Sequence, residues 1–289
     1  MGVLLGLATA LSWGISDFIS RFVSQKAGAL RTSFYMQAWG FIFLTCVLFR
    51  LPGTNHLFDG SGWHPWAWGA LAGSLNTVAM LALYHAFTIG KLSIVAPVSA
   101  SYPVLTVVLS VFSGERLTLF RALGIVATIL GVVLVARGES AAPTSDRGNL
   151  SRVAGLGPAL VAAVCFGVLF WLLGMRIISA TGAFAAVWLI RATGMVLLFA
   201  ILLIRRAPIR LPGRGTAIQS LATGILDTGA FLISNRGMQL EQVSVVTLLS
   251  SLYGAVTVAL AALFLRESVN RWQWCGIVLI FAGIVLVAR

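Results

Sequence analysis

Two carboxylates stand inside apolar stretches of this chain, and their surroundings decide what chemistry is open to them. Asp227 lies about twelve residues into one such stretch, with no basic residue a helical turn away. At the centre of a bilayer an unpaired Asp costs about 2.5 to 3.5 kcal/mol on insertion scales, so it needs a partner from elsewhere. Arg191 sits about thirteen residues before the loop that joins the preceding stretch to this one. In an antiparallel hairpin the two charges fall at similar depth, which predicts a buried ion pair, either as structural glue or as part of substrate or proton handling. Asp17 differs, because Arg21 follows it by four residues on the same helical face, and a local ion pair near a span end is the expectation. His85 beside Tyr84 is the one histidine well inside an apolar stretch; it could titrate near neutral pH, but reads first as a satisfied neutral side chain. Trp13, Tyr102, Trp171 and Tyr253 could stack against an apolar or aromatic ligand, whereas Trp63, Trp66, Trp68, Trp272 and Trp274 read as anchors at the membrane interface.

These groups do not assemble into an enzyme's site. The 8 acids and 3 histidines form no H-E-x-x-H run and no cluster of paired carboxylates, and no phosphate-binding G-x-x-x-x-G-K-[ST] segment occurs. Cys46, Cys165 and Cys275 lie singly in apolar stretches without ligand spacing and read as small packing residues. No catalytic residue, metal or cofactor is expected.

What must position the charged groups is a membrane. Of 289 residues, 59% are hydrophobic and 10% charged, with mean hydropathy +0.97, against roughly 25% charged residues in soluble domains. A hydrocarbon core about 30 Å thick takes roughly 20 apolar residues per helical crossing. Ten such runs occur, at about 2–22, 33–49, 66–89, 93–113, 119–136, 153–175, 183–204, 215–236, 242–265 and 272–288. They are continuous rather than alternating in polarity, which selects helices over a β-barrel. The first charge is Asp17, so the N-terminal run lacks the basic start of a signal peptide and reads as a retained span. The net charge of +12 falls mostly at span ends and in loops, where it suits anionic lipid headgroups; no loop is long enough for a basic nucleic-acid-binding domain.

The polar stretch 138–152 divides the chain into 1–137 and 153–289. At an offset of 152 residues, Glu115 aligns with Glu267, Gly124 with Gly276, Gly131 with Gly283, and Arg137 with Arg289, and 10 of 24 positions from 114 to 137 are identical. The chain is an internal duplication. Five spans per copy is an odd number, so the copies enter the membrane in opposite orientations, the inverted-repeat architecture of secondary transporters. The expected fold is therefore an all-α integral membrane protein of ten transmembrane helices, two inverted five-helix repeats around a central cavity.

The runs ALSWGISDFISRF in the first span, WLIRATGMVLL in the seventh, and SYPVLTVVLSVFSGERLTLFRALGIVATILGVVL across the fourth and fifth resemble EamA-type members of the drug/metabolite transporter superfamily, over essentially the whole chain. The resemblance implies export of small metabolites, amino acids or related compounds, by a multi-pass protein of the bacterial plasma (inner) membrane, monomeric or homodimeric. A channel-like facilitator or, further off, a polytopic membrane enzyme are the alternatives. The second copy departs from the pattern: Tyr102-Pro103 is matched by Tyr253-Gly254, so a less symmetric, unbent ninth span is expected.

Polar residues at three- and four-residue steps mark inward faces on five spans: Thr9, Trp13, Ser16, Ser20 and Ser24; Ser74, Thr77, Tyr84 and Thr88; Ser99, Tyr102, Thr106, Ser110 and Ser113; Thr216, Ser220, Thr223, Asp227 and Ser234; and Ser244, Thr247, Ser251, Gly254 and Thr257. They predict a shared, water-accessible cavity among spans 1, 3, 4, 6, 8 and 9. Glycines 124, 131, 276 and 283 mark spans 5 and 10 as packing surfaces, between the halves or in a dimer. Orientation draws two opposite expectations. The resemblance implies a cytoplasmic N-terminus, which would leave about six Lys and Arg on the cytoplasmic side and about thirteen opposite, the reverse of the positive-inside rule.

Overall fold

The computed structural model describes residues 2–48, 57, 60, 62–113, 118–137, 154–240, 243–267 and 269–287. The linker 138–152, Glu115 and Arg289 lie outside the described residues, as do the side chains of Ser110, Arg137 and Ser244. Every regular element among the described residues is helical. The first repeat consists of α1 (Gly2–Ala27), α2 (Ala29–Leu48), α3 (His64–Ile89), α4 (Leu92–Ser99) with α5 (Tyr102–Phe112), and α6 (Leu119–Arg137). The second has α7 (Leu156–Leu172) running through a π-helical segment Leu173–Ile177 into α8 (Ile178–Thr181), then α9 (Ala183–Ile204), α10 (Arg214–Leu240), α11 (Val243–Ser251) with α12 (Tyr253–Leu260) and a second π-helical segment Ala261–Leu265, and α13 (Arg271–Val287).

The chain is a multi-pass membrane protein built on ten helical spans. Five stretches, His64–Ile89, Leu92–Leu109, Leu156–Thr181, Ala183–Ile204 and Arg214–Leu240, are individually long and apolar enough to cross a bilayer, and shorter apolar helices accompany them. Helix ends overshoot the apolar runs, α1 by five residues through Gln25 and Lys26, because backbone hydrogen bonding continues into the interface after hydropathy falls. What stops α1 is Gly28, whose φ of +80° only glycine adopts without strain; Gly182 at +87° does the same between α8 and α9, at the equivalent place of the second repeat.

The packing pairs follow a two-fold relation between the repeats. An axis that exchanges the repeats turns an α1–α10 contact into an α7–α3 contact, and maps α2–α9, α6–α13 and the α4/α5–α11/α12 crossing onto themselves. These are the helices that pack. Hydrophobicity alone gives membrane helices little reason to associate, so small residues and hydrogen bonds must do it. The α6–α13 seam is of that kind: a Cβ on Gly131 would stand 2.7 Å from the Gly276 carbonyl, and one on Gly283 would stand 2.7 Å from that of Gly124. The four glycines thus join the two halves. Large apolar side chains such as Leu11, Phe112, Leu119 and Val278 cover the outside, as lipid contact requires.

The expected asymmetry of the ninth span is not found. The fourth span breaks at Ala100–Ser101, where Pro103 has no N–H to donate to the Ser99 carbonyl, and the ninth breaks at Leu252 without a proline. The two spans cross at their breaks, and Gly254 makes the crossing tight enough that a Cβ there would lie 2.7 Å from Ala100 Cβ and 3.1 Å from the Ala96 carbonyl. Proline shapes one partner; close packing shapes the other.

Candidate functional site

Six spans meet around one internal space. Trp13 and Asp17 enter it from α1, Met80 and Leu83 from α3, Tyr102 from α5, Phe166 and Phe170 from α7, Asp227 and Phe231 from α10, and Tyr253 from α12. Its volume is about 20 Å³, room for about one water, so the rings close on each other. Trp13 stands edge-on to Phe170, Phe231 and Tyr253 at centroid distances of 5.8, 5.5 and 6.0 Å. Phe170 stacks on Tyr102 at 4.9 Å and on Phe231 at 5.6 Å. The elements carrying Tyr102, Phe170 and Tyr253 are all discontinuous at or near this level, the form in which transporters expose midplane sites.

The hydroxyl stripes do something other than line this space. Thr9, Ser16, Ser20, Ser24, Ser99, Thr106, Ser220, Thr223, Ser234, Thr247, Ser251 and Thr257 are buried, and several bond groups of neighbouring helices, Ser220 accepting from the Trp39 indole N–H at 3.2 Å. Thr106 donates to the Gly167 carbonyl at 3.0 Å, Thr257 to that of Gly14 at 3.3 Å, and Ser16 to that of Thr223 at 3.4 Å. Small hydroxyls let backbones approach and then satisfy them, so the faces turn inward but end up between helices. Ser74, Thr88 and Ser113 bond their own helix and are not buried. Aromatic rings and carboxylates, with Met80 and Leu83, are left to form the wall.

Asp227 is anchored. Arg191 from α9 is fully buried and donates through Nη2 to Asp227 Oδ2, forming an ion pair. Its Nη1 donates to Gln37 Oε1 of α2 at 2.8 Å and lies 3.2 Å from the Met36 sulfur, and its guanidinium carbon stands 5.3 Å from the Phe231 ring centroid. Gln37 is Arg191's counterpart in the first repeat, so equivalent positions touch across the axis; Asn76, the counterpart of Asp227, is buried in α3.

Asp17 is not anchored, and the local pairing with Arg21 does not form. Arg21 reaches instead to Glu267 Oε1 at 3.3 Å and donates to the carbonyls of Phe87 and Gly90 at 3.3 and 2.6 Å. Glu267 also accepts from the backbone N–H groups of Leu92 and Ser93 at 3.1 and 2.9 Å and from the Ser93 hydroxyl at 2.7 Å. The free N–H groups at the start of α4 are a stronger attraction for Glu267 than open loop, and the carboxylate so fixed draws Arg21 with it. Asp17 is 6% exposed and its Oδ2 meets no donor among the described residues.

Other candidates scatter. Tyr84 is buried against Ser20, its hydroxyl accepting at 3.4 Å, and Ser99 shares a hydrogen bond with the Tyr253 hydroxyl at 3.2 Å. Ser251 is fully buried. His85 faces outward beside Thr88, and Trp171 lies one residue, about 100° of helix, beyond the chamber-lining Phe170. Cys46 and Cys275 are exposed rather than packed. Unanticipated were Met80, Leu83, Phe166, Phe170, Phe231 and Glu267; Phe231 one turn after Asp227, and Phe166 one turn before Phe170, were the available signals. No cluster among the described residues could hold a metal ion.

This arrangement, two interleaved copies around a midplane chamber, has a family. Residues 1–137 and again residues 153–289 match the EamA-like transporter family. The chain belongs to that family. EamA-like proteins are membrane transporters. An uncharacterized protein of Methanocaldococcus jannaschii is 32% identical over 134 residues, 46% of this chain and 94% of that one, so it spans about one EamA-like repeat. A protein of known crystal structure superimposes with a TM-score of 0.65 at 20% identity, covering 99% of this chain and 95% of the other, which shows the shared fold.

Proposed function

We propose that this chain is a secondary transporter that exports small metabolites, amino acids or related compounds, across a bacterial plasma membrane by alternating access. The observation that carries the reading is the chamber itself: it is enclosed at mid-depth by three spans of each repeat, and closed on both sides by contacts between helices. At one end the seal is polar, Arg21 and Glu267 tying α1 to the start of α4. At the other, among the described residues, it is close-packed: a Cβ on Gly6 would stand 2.7 Å from Leu249 Cβ, and one on Gly237 would stand 3.0 Å from Val246 Cγ1. Two closures on opposite sides of one site, in halves related by pseudo-symmetry, are what a protein needs in order to open one side at a time.

Counterflow in proteoliposomes tests this against the channel-like alternative. Vesicles preloaded with a mixture of amino acids should accelerate uptake of a labelled member of that mixture, because a carrier returns faster when loaded. Uptake that rises linearly with concentration and ignores the contents of the vesicle would refute alternating access.

A further inference from the structure

The chamber has a surplus negative charge, and its walls say what would balance it. Two carboxylates line the space, Asp17 and Asp227, and one guanidinium serves them. Arg191 is committed to Asp227, and Arg21, one turn from Asp17, is committed to Glu267. A buried, unpaired carboxylate in a low-dielectric interior is strongly unfavourable until a positive charge or a proton arrives. The remaining wall is mostly ring edges and faces, Trp13, Phe170 and Tyr253 foremost, with Met80 and Leu83 beside them, and no cation stands among the lining residues to receive a substrate's own carboxylate. Ring faces attract cations through their quadrupole, and aromatic cages are the usual receptacle for quaternary ammonium groups. A hard metal ion would instead require about six oxygen ligands, which rings do not offer.

We infer that the chamber takes a monovalent organic ammonium compound with an apolar body, Asp17 being its counter-ion and the rings of Trp13, Phe170 and Tyr253 its cage. This deepens the transporter reading and rests on it for how the ligand is moved, though not for whether it binds. It also narrows the substrate class, since a zwitterionic amino acid would bring a carboxylate against Asp17 and Asp227 with nothing to neutralise it.

Three probes of one shape and different charge test it on the full chain in lipid nanodiscs: phenethyltrimethylammonium (fixed cation), phenylalanine (zwitterion) and 3-phenylpropionate (anion). Equilibrium binding of the labelled compounds should favour the cation by about tenfold or more. Asp17→Asn should cost that advantage while leaving a monodisperse protein; should that variant aggregate, Trp13→Leu should weaken the cation selectively, and the order of the three probes on the wild type decides without any variant. Absent cation binding, equal or tighter binding of phenylalanine or 3-phenylpropionate, or unchanged cation affinity in Asp17→Asn would each overturn the inference. Flux separates this from the broader reading. A cation that binds but shows no counterflow leaves the inference standing and removes the transporter; phenylalanine counterflow without cation binding does the reverse.

Discussion

Asp227 and Asp17 face the same chamber from α10 and α1, yet one is paired with a buried arginine and the other, among the described residues, has no counter-ion. Arg191 of α9 pairs with the first charge and is itself fixed by Gln37 of α2 and by the Phe231 ring of α10. The second charge lost its nearest cation to a carboxylate, Glu267, arriving from the opposite repeat. In one molecule the same residue type is thus a strut in one place and an unfilled demand in another. Burial does not distinguish the two; the partner does.

The contrast can be broken first at the strut. Arg191→Leu leaves Asp227 buried and uncompensated, at a cost of about 3 to 5 kcal/mol, and should collapse folded yield as read by gel filtration of detergent-solubilised protein. A variant that elutes and melts as the wild type does would put Asp227 in the same class as Asp17. Next in size is the double change Asp227→Asn with Arg191→Gln, which imitates Asn76 and Gln37 of the other repeat. It should recover about 2 kcal/mol relative to the summed single changes in a double-mutant cycle, and strict additivity would mean that the pair is not coupled.

Glu267→Gln acts on the competitor that takes Arg21. Replacing charge-assisted with neutral hydrogen bonds at the start of α4 should cost about 1 to 1.5 kcal/mol, and cysteine labelling at position 93 should become faster as the polar seal loosens. Unchanged labelling would show that the seal lies elsewhere. The smallest effect belongs to Asp17→Asn, where removing an unpaired buried charge should shift stability by less than about 1 kcal/mol and upward in sign. A large loss of thermal stability in that variant would reveal a partner for Asp17 and dissolve the comparison.

Several of these features were legible in the sequence. The ten spans follow from the length of each apolar run, and the duplication from identities at a fixed offset. The meeting of Arg191 with Asp227 follows from counting residues back from a shared loop, because depth in a hairpin is a one-dimensional quantity. The reading failed where neighbours compete. Arg21 obeys the four-residue rule with Asp17 only if nothing better is near, and the start of α4 with Glu267 is better. Trp171 and Phe170 differ by one residue, which hydropathy cannot rank. The hydroxyl stripes located the inward faces, but whether an inward face meets a helix or a cavity depends on how closely the opposing helix approaches.

By itself the sequence determined how often the chain crosses the membrane, that the second half repeats the first in opposite orientation, and that two carboxylates must be buried. Each is a property of run length, parity or depth, which a rise of about 1.5 Å per residue in a slab about 30 Å thick makes countable. The tertiary structure alone decided which carboxylate is neutralised and which rings surround the other. That choice depends on α1 lying against α10 and α3 against α7, contacts between halves that are distant along the chain, where hydrogen-bond geometry and close packing select one partner from several.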